Sequence, residues 1–297
     1  MNNHNSPEQP SSPNHNPGAP TSNPHTSADH FFEFREVSKS FDHPVLDNCS
    51  FFVNKGETAV IMGRSGAGKS VTLKLLLGFL QPDSGRILVE GQDVTDFTEA
   101  QFEDLRRRVT MVFQSGALFD SLTVFENVAF PLETYKMDPD ELNQRVDELL
   151  DMLEVSEVAD QYPTDLSTGT KRAVAVARAL AEDPDAILYD EPTTMVDPIM
   201  AAHMSDLILK LKKKFHKTSI VVTHDTHLAK KLADRVIFLS DCKIVFFGTW
   251  HEFETTSDPY LQNFRLQDEL IPALDETVGA PPDASSPRST PPSDASP

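Results

Sequence analysis

From Phe31 the chain sets apolar residues at alternate positions: Phe32, Phe34 and Val37 fall among charged neighbours, the pattern of a half-exposed strand. Phe51-Phe52-Val53 reads as a second strand and Asn54-Lys55-Gly56-Glu57 as a turn. Thr58-Ala59-Val60-Ile61-Met62 is continuously apolar and partly β-branched, so a buried strand is expected there, with a helix over Val71 to Leu77 after it. The same reading predicts strands from Arg86 to Glu90 and from Val109 to Gln114, then over the apolar runs that end in Asp190-Glu191 and in Thr223-His224. Helices are expected from Thr98 to Arg108, from Asp138 with Leu142, Val146, Leu149, Leu150 and Leu153 on one stripe, and from Ala173 to Ala181. A further helix puts Met204, Leu207, Ile208 and Leu211 on one face. The order is that of an α/β domain over residues 30–265, with an α-helical subdomain inserted at about 115–182.

On either side the pattern stops. Residues 1–29 are Asn, Ser, Pro and His with almost nothing to bury, and a disordered leader is expected. From 266 to 297 the chain is acidic and then rich in Pro, Ser and Ala, which predicts a disordered tail. Asp258 to Phe264 either packs on a partner or closes the domain.

Composition narrows the function classes. A formal net charge of −20 argues against a nucleic-acid partner, which needs clustered Lys and Arg. Cys49 and Cys242 are the two cysteines, each inside an apolar segment, so neither a disulfide framework nor a thiolate metal site is expected and a reducing compartment fits. No run approaches the roughly 18 apolar residues of a membrane span, and no signal peptide follows Met1, so a membrane role would come through a partner.

The chemistry begins at Gly63-Arg64-Ser65-Gly66-Ala67-Gly68-Lys69-Ser70, which fits G-x-x-x-x-G-K-[ST] between an expected strand and an expected helix. Glycines let the backbone bend round a polyphosphate, so that amides at a helix start point at anionic oxygens. Lys69 would reach the β and γ phosphates and Ser70 would offer its hydroxyl to Mg2+. Gln114, at a strand end, could reach both the metal and an attacking water. Asp190 can hold the metal shell and Glu191 can polarise a water in line with the γ phosphate, with His224 bonding that phosphate. Ser167-Thr168-Gly169 before a helix is either an ordinary N-cap or a second anion-binding end. Phe41 could stack on an adenine ring or simply pack. Ser115 to Phe125 is unusually apolar for a loop: it packs inside or is a patch for a protein partner.

In this order, over about residues 31–265, the residues resemble the ATP-binding subunits of ABC transporters. The resemblance implies a P-loop NTPase core of the ABC ATPase type, with an N-terminal antiparallel β subdomain and the inserted helical subdomain, hydrolysing ATP with Mg2+. It makes Phe41 the adenine-stacking aromatic, Gly63 to Ser70 Walker A, Gln114 the Q-loop residue, and Leu166-Ser167-Thr168-Gly169-Thr170 the signature. Ile187 to Glu191 becomes Walker B, Asp197 the D-loop and His224 the switch histidine. Two copies would associate head to tail, the phosphate loop of one and Ser167 to Thr170 of the other closing over each ATP. The dimer would sit on the cytoplasmic face of the inner membrane through integral permease subunits. Phe113 to Leu132 is similar to the Mla/Mce-type phospholipid transport ATPases, which would add a small regulatory subunit and a lipid-binding membrane-anchored subunit. ABC ATPases for other substrates, such as an amino acid or metal chelate, and an iron-sulfur assembly ATPase are the alternatives. Two positions depart from the family pattern. Thr168 stands where a glycine is usual, so its side chain is expected to crowd the approach to the γ phosphate, and Met195-Val196 replaces Gly-Leu or Ala-Leu.

Overall fold

Two sheets divide the work of the chain, which a computed structural model describes over residues 29–135 and 137–266. The leader expected over 1–29 lies outside the described residues except for Asp29, and the tail expected over 266–297 does so beyond Leu266. The first sheet is antiparallel, in the order β2 (Pro44–Asn54), β1 (His30–Ser40), β4 (Ser84–Val89), β5 (Gln92–Asp93). The second has six strands: β10 (Lys243–Thr249), β9 (Arg235–Ser240), β3 (Thr58–Met62), β8 (Thr218–Val222), β7 (Ala186–Asp190) and β6 (Val109–Val112). Its strands run parallel except for β10, which folds back antiparallel on β9.

Strands β3, β7 and β8 are buried at every residue, the outcome expected of apolar runs covered on both faces of a parallel sheet. Successive side chains point to opposite faces, so Val60, Met62 and Tyr189 join one core while Ala59, Ile61 and Leu188 join the other. The second core holds α1 (Lys69–Leu76), α2 (Glu99–Arg108) and the inner face of the antiparallel sheet. The first holds α3 (Val124–Ala129), α4 (Pro139–Met152), α5 (Thr168–Leu180), α6 (Pro198–Phe215) and α7 (Thr226–Leu232). After β10 come α8 (Trp250–Thr255) and a helix over 259–266.

Register fixes the site. Ile61 pairs with Val222 and Val222 with Asp190, while Tyr189 pairs with Val112, so the carboxyl ends of β3, β8, β7 and β6 lie level. The loops that follow them therefore converge at one edge, the usual place for a ligand in an open α/β sheet. Gln114 and His224 each lie two residues beyond a strand, in these loops rather than at the strand ends expected of them.

Candidate active site

The phosphate loop is a left-handed detour between β3 and α1. Gly63, at φ 149°, runs so close to β9 that a Cβ there would meet the Leu239 carbonyl oxygen at 2.3 Å. Gly68, at φ 98°, caps α1, and a Cβ there would come to 3.0 Å from the Val45 carbonyl oxygen. Helix α1 begins at Lys69, two residues earlier than the apolar pattern alone predicts, so the Lys69 and Ser70 amides belong to its first turn.

Lys69 is buried, and its Nζ donates to the Gly63 carbonyl at 2.9 Å and the Arg64 carbonyl at 3.2 Å. The same Nζ lies 3.3 Å from Glu191 Oε1. Ser70 donates its hydroxyl to Asp190 Oδ1 at 2.7 Å, and this joins the loop to the end of β7. Glu191 is the next residue and is held on several sides. Its Oε2 accepts from the Thr194 hydroxyl at 2.9 Å and lies 3.0 Å from His224 Nδ1, and its amide donates to the Val222 carbonyl. Glu191 keeps a left-handed backbone, φ 49°, uncommon for a residue with a Cβ, and such outliers gather at working sites. Arg172, buried on α5, braces the turn after Glu191 by donating to the carbonyls of Pro192 and Thr194.

Lys69, Ser70, Glu191, Thr194 and His224 border a cleft of about 670 Å3, with Asp190 and Arg172 behind its lining. Arg64, Ser65, Gly66, Gly68, Lys69 and Ser70 of the phosphate loop line it together with Gln114, Glu191, His224 and Phe41. Phe41 is 56% exposed, in the turn between β1 and β2, so the packing alternative does not apply to it. Val45, Val71, Thr194 and Phe264 complete the lining. None of these four was legible as a site residue, since each is an ordinary core or loop type whose place depends on long-range packing.

Ser167, Thr168, Gly169 and Asp197 do not border this cleft. Ser167 caps α5, its hydroxyl oxygen accepting from the Thr170 amide at 3.1 Å, and Asp197 caps α6, accepting from the Met200 amide at 3.0 Å. Gly169 packs on Met200, so the two caps are neighbours. Helix α5 thus starts at Thr168, five residues ahead of the expected Ala173, because Ser167 supplies a side-chain cap. Thr168 is exposed, in the first helical turn, without a left-handed φ, so the backbone does not require glycine there.

The two carboxylates are tuned in opposite directions. Burial pushes Asp190 above its ordinary range, the Ser70 hydroxyl opposing and the charge of Glu191 adding to the rise. Burial also acts upward on Glu191, but the bond with His224, the charge of Lys69 and the Thr194 hydroxyl together bring it below its ordinary range. The donor set of Ser70 hydroxyl, Asp190 carboxylate and Gln114 amide consists of hard oxygens, which suits Mg2+ shared with phosphates and water.

The raised Asp190 makes a testable statement. Its ionised form is less favoured in the folded chain than in the unfolded one, so ionisation costs stability at pH values above its folded pKa, and the cost is relieved as pH falls through that pKa. Asp190→Asn keeps an acceptor for Ser70 and is expected to stabilise the nucleotide-free chain at neutral pH by about 1 kcal/mol. The gain should shrink as pH falls and vanish below the ordinary carboxylate range, where the acid is neutral in the folded and the unfolded chain alike. Thermal melts across that range check it, and a lower melting temperature for the variant at neutral pH would contradict it.

A parallel sheet with a glycine loop after one strand, a lysine and serine at the following helix start, and Asp-Glu at the end of the next strand but one define a P-loop nucleotide-binding cassette. The sequence model of the ABC transporter family matches residues 46–194. The methionine import ATP-binding protein MetN of Geobacillus kaustophilus is 39% identical over 223 residues, 75% of this chain and 65% of that protein. The intermembrane phospholipid transport system ATP-binding protein MlaF of Haemophilus influenzae is 38% identical over 221 residues, 74% of this chain and 84% of that protein. A dimeric ATP-binding cassette in a post-hydrolysis state with ADP and Pi is 32% identical with a TM-score of 0.68, covering 73% of this chain and 98% of its own. The CbiO1 subunit of a Clostridium perfringens ABC transporter complex is 26% identical with a TM-score of 0.71, covering 84% of this chain and 99% of its own. The chain belongs to the ABC transporter family, as an ATP-binding subunit with ATP hydrolase activity.

Proposed function

We propose that the chain is the ATP-hydrolysing subunit of a transporter that moves phospholipid between membranes. ATP with Mg2+ would lie along the Gly63–Ser70 loop, its base on Phe41, and would supply the phosphoryl bond that is cleaved. Lys69 would leave Glu191 for the phosphates, Ser70, Asp190 and Gln114 would hold the metal shell, and Glu191 would take the proton of the attacking water. His224 would orient Glu191 and bond the γ phosphate. Ser167, Thr168, Gly169 and Asp197 would act on the nucleotide of a second copy, since they lie outside their own cleft. Met195 and Ile199 are more than 80% exposed beside that surface, and such apolar groups suit a face that a partner covers.

The observation that favours a lipid transporter is the Phe113–Leu132 strip. It both packs and faces outward: Asn127, wholly buried, bonds the backbone of Phe119, Leu122 and Thr123, while the exposed rings of Phe119 and Phe130 meet at a tilt of 52° with centroids 4.7 Å apart. Together with Phe79, Arg106 and Arg178 they border a second groove of about 720 Å3, suited to an integral permease. No helix among the described residues is long and apolar enough to cross a membrane, so attachment to the cytoplasmic face of an inner membrane would run through that groove. A regulatory subunit and a lipid-binding anchored subunit would complete the complex. A second reading, amino-acid import, draws on the methionine import relatives. An iron-sulfur assembly role would leave the groove without a membrane partner.

Purification of the tagged chain from detergent-solubilised native membranes, with mass spectrometry of proteins and lipids, tests this. A permease with bound phospholipid is expected. A permease accompanied by a methionine-binding chain and no lipid would overturn the phospholipid reading.

A further inference from the structure

We infer that the helix over 259–266 is a working part of the nucleotide cleft: Tyr260 positions the first half of the phosphate loop, and Phe264 forms a wall against the bound triphosphate. The inference rests on the reading of the cleft as an ATP site and adds to it two residues outside the motifs that define such sites.

The helix is built to stay where it is. Asp258 accepts from the amides of Tyr260 and Leu261 at 2.8 and 3.1 Å, and Pro259 follows at the first helical position, a strong local start signal. Leu261 is buried in the core, and Arg265 donates to backbone carbonyls of Phe253 and Glu254 in α8. Phe264 meets the buried Phe238 edge-on, with ring centroids 4.7 Å apart, and Tyr260 meets the same ring from another direction at 6.1 Å. Phe238 pairs with Met62, the last residue before the loop. The helix is therefore fixed to the strand beside the one from which the phosphate loop emerges.

From that position it touches the loop itself. The Tyr260 hydroxyl lies 2.9 Å from Ser240 Oγ, which fixes its ring, and the Arg64 guanidinium sits 5.9 Å from the ring centroid. Arg64 is also the residue whose carbonyl accepts from Lys69 Nζ, so a side chain held outside the loop is tied to a backbone group that faces inward. Phe264 borders the same cleft as Lys69 and Ser70. An apolar wall at the phosphate end excludes water and strengthens the charged bonds to the anion.

The full-length Phe264→Trp variant, titrated with MgATP beside the wild type, reads the contact directly, because Trp250 is the single native tryptophan and supplies the baseline. Its emission is expected to change saturably, beyond any change in the wild type. Phe264→Ala should raise KM for ATP about fivefold with kcat nearly unchanged, and Phe264→Leu should recover most of the loss. If the wild type binds MgATP while emission at position 264 is indifferent to it, the inference fails. Equal KM values for Phe264→Ala and the wild type overturn it too. Failure of the wild type itself to bind MgATP would instead remove the site reading on which it stands.

Discussion

Lys69→Ala is expected to reduce ATP hydrolysis by at least about a hundredfold and to weaken nucleotide binding, with the fold intact. The ammonium does two jobs in the nucleotide-free chain. It bonds the Gly63 and Arg64 carbonyls and so closes the loop on itself, and it balances the charge of Glu191 3.3 Å away. Its side chain is only 6% exposed, so phosphate oxygens in the cleft would meet a desolvated cation, whose charge-assisted bonds are stronger than those of one in water. Alanine removes all of this at once. With the Lys69 charge gone, the net downward shift of Glu191 should shrink, since that charge is one of its causes. Steady-state turnover of the partner-bound variant, nucleotide affinity and a melting curve check the expectation. Near-normal turnover would remove Lys69 from the site.

How much of this could be read before the structure depends on how local each signal is. Strands β3, β7 and β8 were legible because a strand covered on both faces must be apolar throughout, and all of their residues are buried. The loop was legible because Gly63 and Gly68 occupy conformations and close approaches that exclude a side chain. The start of α5 was misplaced because Thr168-Gly169-Thr170 has poor helix propensity, and only the cap at Ser167 outweighs it. The left-handed backbone of Glu191 and the reach of Arg172 to the carbonyls of Pro192 and Thr194 leave no mark in composition or periodicity. Phe264 was unreadable for a related reason. Its position in the cleft follows from packing on Phe238, distant in sequence and itself indistinguishable from any other core aromatic.

Glu191→Gln should separate binding from chemistry: the variant is expected to bind MgATP, to hydrolyse it at least about a hundredfold more slowly, and to accumulate as a closed dimer. Glutamine is close in shape and can keep an acceptor for Thr194 and a contact with His224, and a left-handed backbone costs it no more than it costs glutamate. Asp190, bonded to Ser70, is untouched, so the metal shell keeps its carboxylate. What disappears is the proposed base. In the wild type Glu191 is held ionised, its net shift being downward despite burial, so a carboxylate able to accept a proton stands ready at neutral pH. The amide oxygen can still accept a hydrogen bond but is too weakly basic to take the proton. Losing a negative charge beside Lys69 also leaves that ammonium freer to turn to the phosphates, which favours the bound state. If ATP binding closes two copies over Ser167 and Gly169 and hydrolysis is the step that reopens them, the closed species has no exit. It should also cover Met195 and Ile199, exposed in the single chain. Size-exclusion chromatography with and without ATP should then show an ATP-dependent shift to twice the monomer mass in Glu191→Gln that is transient or absent in the wild type. Wild-type turnover in the variant would show that another group takes the proton, and ATP-bound variant eluting as a monomer would break the link between this cleft and the surface around Ser167.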